Sequence, residues 1–290
     1  MKHVAFPDLQ ISYNLPENLA ECNAYEYEAI SSLVFEYLSA AISYEDFRVQ
    51  AVCKLLNIKV SEKFQNDEEI MANIYYLSEL MSGYFEDTEE GNKKIRLDFL
   101  HIKIPIKKIG LQSYYGPSHS IFEITYGEFA DASRFFDDFH ASGDVNFLYL
   151  LASVLYRRKR YFNKNRLPYD SKKLDQTVSY FKKFAPPSFI YAVYLQFTAF
   201  RQYLPTAQIP WGGNILDFEI LFEDSEIDTD KSIPGIGADS MVFSLAESGV
   251  FGSAEKVRST NFLEIMIHLY DLRKRDIEKQ QKEKQNVSSK

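Results

Sequence analysis

Between Phe189 and Phe200 the chain reads FIYAVYLQFTAF, with apolar or aromatic residues around almost the whole circumference of a helix. Crossing a membrane takes about 20 such residues, and this run is shorter and contains Gln196 and Thr198. A short helix that is apolar on nearly all sides must be enclosed by other elements, so it belongs at the centre of a globular core. The chain has enough material for that enclosure: 290 residues, with 20 Tyr and 23 Phe against a single Trp.

The surrounding pattern is mostly helical. After an irregular opening segment, Ile30, Leu33, Val34, Tyr37, Leu38 and Ala41 recur at helical spacing. Ser43, three residues before Asp46, reads as the cap of a second helix carrying Phe47, Ala51, Val52, Leu55 and Leu56. A third helix starts near Asp67. The period then drops to two: Ile95, Leu97 and Phe99 alternate with polar residues, and Ile102, Ile104 and Ile106 continue the alternation. Two short strands are expected there, the second at a sheet edge because of Pro105, with a third at Ile121 to Thr125.

Thr125 and Glu128 form a capping box for the next helix, Gly143 ends it, and Asp144 caps its successor. Two further helices, at about Ser171 to Phe184 and Ser188 to Tyr203, are separated by Pro186 and Pro187. The expected fold is therefore mainly α with a small β-hairpin or sheet insertion, a multi-helix body followed by a small C-terminal helical module. In residue terms, 1–204 is the body with its β insertion at about 94–125, 205–237 an acidic linker, 238–272 the module and 273–290 a charged tail that frays at its end. The linker assignment rests on seven carboxylates and no cation between Asp217 and Asp230, with room for a short strand at Ile215 to Phe222.

A formal net charge of -8 opposes general binding to nucleic acid, whose affinity comes mainly from cations that neutralise phosphates. MKHVAFPDLQISYNLPE holds no apolar run of secretory length and no small-residue cleavage site, so a cytoplasmic location is expected. Cys22 and Cys53 have no second Cys or His at ligand spacing and read as buried thiols. His3, His101, His119, His140 and His268 are scattered. Gly235-Ile236-Gly237 and the Gly249 to Gly252 turn lack the strand and Lys-Ser or Lys-Thr of a phosphate loop. No catalytic, cofactor or metal residue is assigned, and no enzyme is expected.

Two features suggest contact with a partner. Arg157, Arg158, Lys159 and Arg160, with Lys164 and Arg166, form a dense basic cluster. It reads either as a site for phosphate or an acidic partner, the acidic 217–230 segment of the same chain being one such partner, or as cations favoured at the C-terminal end of the preceding helix. On the last helix Phe262, Ile265, Met266, Leu269 and Leu272 make an apolar face. The candidate partner-binding residues are Phe262, Met266 and Leu269 together with Arg157, Arg158 and Arg160.

Three stretches, Leu15 to Ile58, Ile124 to Arg157 and Pro234 to Arg275, taken in this order, resemble proteins from the tail-gene region of long-tailed phages and prophages. The last, PGIGADSMVFSLAESGVFGSAEKVRSTNFLEIMIHLYDLRKR, is similar to the small helical modules of phage tail assembly chaperones. The resemblance covers a little under half of the chain. It implies a non-enzymatic protein that binds the helical tape-measure protein, or another tail protein, before tail-tube subunits polymerise around it in the host cytoplasm. It leaves open a structural virion protein, such as a connector or tail-completion component. A cytosolic enzyme of another kind would instead require titratable groups converging in a polar cleft.

Overall fold

The computed structural model describes residues 1–6, 10–58, 67–159, 166–222 and 238–288. An N-terminal antiparallel hairpin, β1 (Lys2–Phe6) and β2 (Ile11–Leu15), stands where an irregular opening was expected. Its alternation runs over only five residues a strand, too short to stand out from coil. Three helices follow, each started by a polar side chain that satisfies free backbone N–H groups. Asn23 caps α1 (Ala24–Leu38), Ser43 caps α2 (Tyr44–Leu55) and Asp67 caps α3 (Glu68–Ser78).

The β insertion differs from the expected one in its strand positions. β3 (Phe85–Asp87) pairs with β4 (Lys93–Ile95), and β5 (Ile106–Ile109) pairs with β6 (Gln112–Tyr115), which also takes the two-residue β7 (Arg157–Arg158) on its other side. Residues 96–105, expected as strands, form no ladder and bend at 101, 103 and 105. Phe99 and Ile104 are buried, and tertiary partners replace the ladder: Lys103 N donates to Gln196 Oε1 and Ile102 N to His119 O, while Ile104 O accepts from Tyr156 Oη. Ile121 to Thr125 is likewise no strand. A 3-10 turn at Ile121–Glu123 leads into the helix cap at Thr125.

That cap opens α4 (Tyr126–Ser142), with Thr125 Oγ1 accepting from Glu128 N and Glu128 Oε2 from Thr125 N. α5 (Asn146–Leu155), α6 (Leu174–Phe184) and α7 (Pro187–Tyr203) complete the body. The N-cap position of α5 is Val145, one residue later than expected, and Asp144 Oδ1 accepts from Asn146 N. α7 is the enclosed helix predicted from its sequence: Phe189, Ile190, Val193, Leu195, Phe197 and Phe200 are each no more than 2% exposed. α1 packs along it, with Phe35 stacked on Tyr191 at 3.9 Å between ring centroids and Tyr27 Oη donating to Ala192 O.

The segment expected as an acidic linker is structured over its first half. β8 (Gln208–Trp211) and β9 (Asn214–Asp217) form a hairpin whose turn, Gly212-Gly213, has φ of +57° and +82° at its two positions. A 3-10 turn at Phe218–Leu221 follows, and Phe218 is fully buried. The carboxylates of the stretch hide this anchor in the sequence. The remainder, 223–237, lies outside the described residues. The module comprises α8 (Ala238–Glu247), α9 (Ala254–Ser259) and α10 (Phe262–Ser288). α10 continues as helix through the expected charged tail. Asp271 pairs with Arg275, and Glu278 meets Lys274 on the preceding turn.

Candidate functional site

The module is joined to the body through backbone and side chains together. Tyr126 N donates to Thr260 O and Phe262 N to Ile124 O, a β-like clasp between the start of α4 and the start of α10. At Gly127 an added Cβ would fall 2.9 Å from Arg258 O, so the absent side chain is what lets α9 approach α4.

Two carboxylates on one face of α4 organise this junction. Glu128 is 2% exposed, and its Oε1 meets Arg157 at 2.6 Å and Arg166 at 3.0 Å, while its Oε2 completes the helix cap. One turn on, Asp131 is 3% exposed. Its Oδ2 accepts from Tyr169 Oη and from Arg258, both at 2.5 Å, and its Oδ1 lies 3.2 Å from Arg134. Arg258 also reaches Asp239 on α8 at 2.7 Å, so one guanidinium ties two module helices to the body. Burial holds the Arg166 guanidinium down to about 10, against the opposing pull of Glu128. Burial and the Asp131 contact push the Tyr169 hydroxyl well above its ordinary value, so it stays a donor. These titratable groups are matched with one another, which is the arrangement of a structural joint.

The basic cluster therefore divides. Arg157 is occupied by Glu128, by Leu167 O at 2.7 Å and by Val154 O at 2.8 Å. Arg158, its neighbour in the chain, is exposed and has no ion pair among the described residues. Arg160 lies outside the described residues.

The candidate residues of the last helix divide too. Phe262 is fully buried, with its ring 4.3 Å from Phe129 and 5.7 Å from Phe200, so it anchors the module and is not a surface contact. Met266 and Leu269 instead line a groove of about 510 Å³ beside that anchor. Tyr126 and Phe129 contribute from α4, Met241 from α8, and Leu221 and Phe222 from the turn after β9. Leu272, 39% exposed, and Phe222, 44% exposed, carry the apolar surface outward, and Arg273 and Asp276 add one charge of each sign. The body's share of this groove was not visible in the sequence. Phe222 sits in a run that reads as acidic linker, and Tyr126 and Phe129 read only as one face of a helix.

Among the described residues no group of three or more His, Cys, Asp or Glu side chains is placed to hold a metal ion, and no helix is long and apolar enough to cross a membrane. Both cysteines are buried thiols, and burial pushes Cys22 up to about 11. Comparison with family models, with curated proteins and with solved structures finds no match to the chain.

Proposed function

We propose that this protein is a non-enzymatic assembly factor of phage or prophage tails, a chaperone that holds an amphipathic helix of the tape-measure protein before tail-tube polymerisation. The observation that carries the reading is the groove between body and module. Two methionines, aromatic rings and leucines from four separate elements line it, and its volume of about 510 Å³ lies in the range of binding clefts. Methionine side chains adapt to differently shaped apolar partners, which suits a holder of a long, variable helical protein. Recognition would follow the helix-in-groove mode, with apolar side chains one turn apart entering between α8 and α10 and with Arg273 and Asp276 biasing direction. The resemblance of the module to tail assembly chaperones supports the choice of partner, and such a protein works in the host cytoplasm and leaves before the virion matures.

Point substitutions on the groove suit a test better than removal of the module, because truncation would strip Phe262 from the core. Leu272→Asp combined with Phe222→Ala should weaken binding of helical tape-measure peptides about tenfold or more in calorimetric titration, with the thermal unfolding midpoint kept. Unchanged affinity would remove the groove from the reading. Mass spectrometry of purified virions should find the protein absent; stoichiometric presence would favour a connector or tail-completion role.

A further inference from the structure

The exposed part of the basic cluster belongs to a second surface, distinct from the groove. Phe99 to Phe122, with three Lys, and Val145 to Tyr169, with six Lys and Arg, each contain no carboxylate. In a chain of net charge -8, β5 and β6 from the first stretch and β7 from the second pair as one sheet. Leu111, Ser113, Tyr115, Arg158 and Lys159 line a shallow depression of about 510 Å³ on that sheet. Lys108 stands directly across the ladder from Ser113, exposed, and Lys159 Nζ lies 5.7 Å from the centre of the Tyr115 ring. Among the described residues Lys108, Arg158 and Lys159 make no ion pair, unlike Lys107 of the same strand, which is held by Glu28. Beside these cations are aliphatic side chains turned to solvent: Leu111 at the hairpin tip is 96% exposed and Ile106 is 56% exposed.

We infer that this sheet face is a docking surface for an acidic segment of a partner protein, one that carries apolar side chains between its carboxylates. Charge complementarity selects the acidic partner: three cations without an ion pair among the described residues gather here, in a chain of net charge -8. The exposed leucine and isoleucine favour a peptide over single-stranded nucleic acid. Bases stack on aromatic rings, and Tyr115 is only partly exposed, whereas aliphatic side chains bury well against those of a peptide. A long polyanion would also meet the negative remainder of the surface. The inference stands apart from the identity of the helix in the groove.

The full-length chain can be titrated into a fluorescein-labelled synthetic peptide of alternating Glu and Leu or Phe, followed by anisotropy. The peptide should bind, and its affinity should fall several-fold as salt rises from about 50 to about 300 mM. Lys108→Glu, Arg158→Glu and Lys159→Glu together should weaken binding at least about tenfold, and Leu111→Ser about threefold, with the circular dichroism spectrum kept. Equal binding of the Gln-for-Glu peptide, or full affinity in the triple-charge variant, would overturn the proposal. So would tighter binding of a single-stranded oligonucleotide, which would make the surface a nucleic-acid site. Self-association abolished by the triple-charge variant would overturn it as well, by making the occupant a second copy of the chain.

Discussion

Arg157 and Arg158 are neighbours in the sequence and have opposite roles in the fold. Arg157 is drawn under the junction, where Glu128 and two backbone carbonyls use its donors, and only 12% of its side chain is exposed. Arg158 pairs through its backbone with Tyr114 and leaves its guanidinium at the surface. The joint at Glu128 and Asp131 and the face around Arg158 thus draw on one basic run for different ends. In the joint, charge is desolvated, matched and indispensable once buried. On the sheet face, charge is exposed and has no ion pair among the described residues, so it adds little to folding. Density of cations in a sequence is accordingly not a measure of an available basic site.

Substitutions can break or sharpen this contrast. The largest effect is expected from Glu128→Ala, which strips a carboxylate from two buried guanidiniums and half of a helix cap: about 3 to 5 kcal/mol of stability lost in urea unfolding. A loss below about 1 kcal/mol would mean that the joint is not desolvated in the way described. Arg258→Met keeps the packing stem but removes the tie among Asp131, Asp239 and the module, and should cost about 2 to 3 kcal/mol. Hydrogen exchange should then rise in α8 and α9 before it rises in α7; uniform exchange across the molecule would count against a separate joint. Thr125→Ala removes only the side-chain acceptor for Glu128 N and leaves the ion pairs in place, for a loss of about 1 kcal/mol. Arg158→Ala should change stability by no more than about 0.5 kcal/mol, and a larger change would show that the sheet face is structural after all.

What was readable in the sequence was local. Ser43, Asp67, Thr125 and Gly143 mark helix ends correctly because capping is decided within four residues. The last module helix and the enclosed helix follow from apolar spacing for the same reason. The strands were harder to place. Ile95, Phe99 and Ile104 of the alternating run are buried, but the alternation says nothing about whether the backbone partners are a strand or, as here, Gln196, His119 and Tyr156, and Ile106 at its end faces solvent. The segment after Pro205 was misjudged on composition, since a single buried Phe218 beside Tyr270, with Arg273 donating to Ile220 O, outweighs the neighbouring carboxylates.

For the candidate site the division is sharper. Met266 and Leu269, picked out by the amphipathic stripe of α10, line the groove, but the same stripe placed Phe262 with them, and the fold buries it against Phe129. A stripe reports which face is apolar, and cannot report how much of that face the rest of the chain already covers. The sequence by itself determined a mainly α chain built around an apolar helix, with a β insertion and a helical module, because periodicity and caps act over one or two turns. Only the tertiary structure decided that the module is bolted to the body, that a groove lies beside the bolt, and which arginines remain exposed. Those outcomes depend on pairs such as Asp131 and Arg258, 127 residues apart, whose meeting is set by global packing and leaves no local trace.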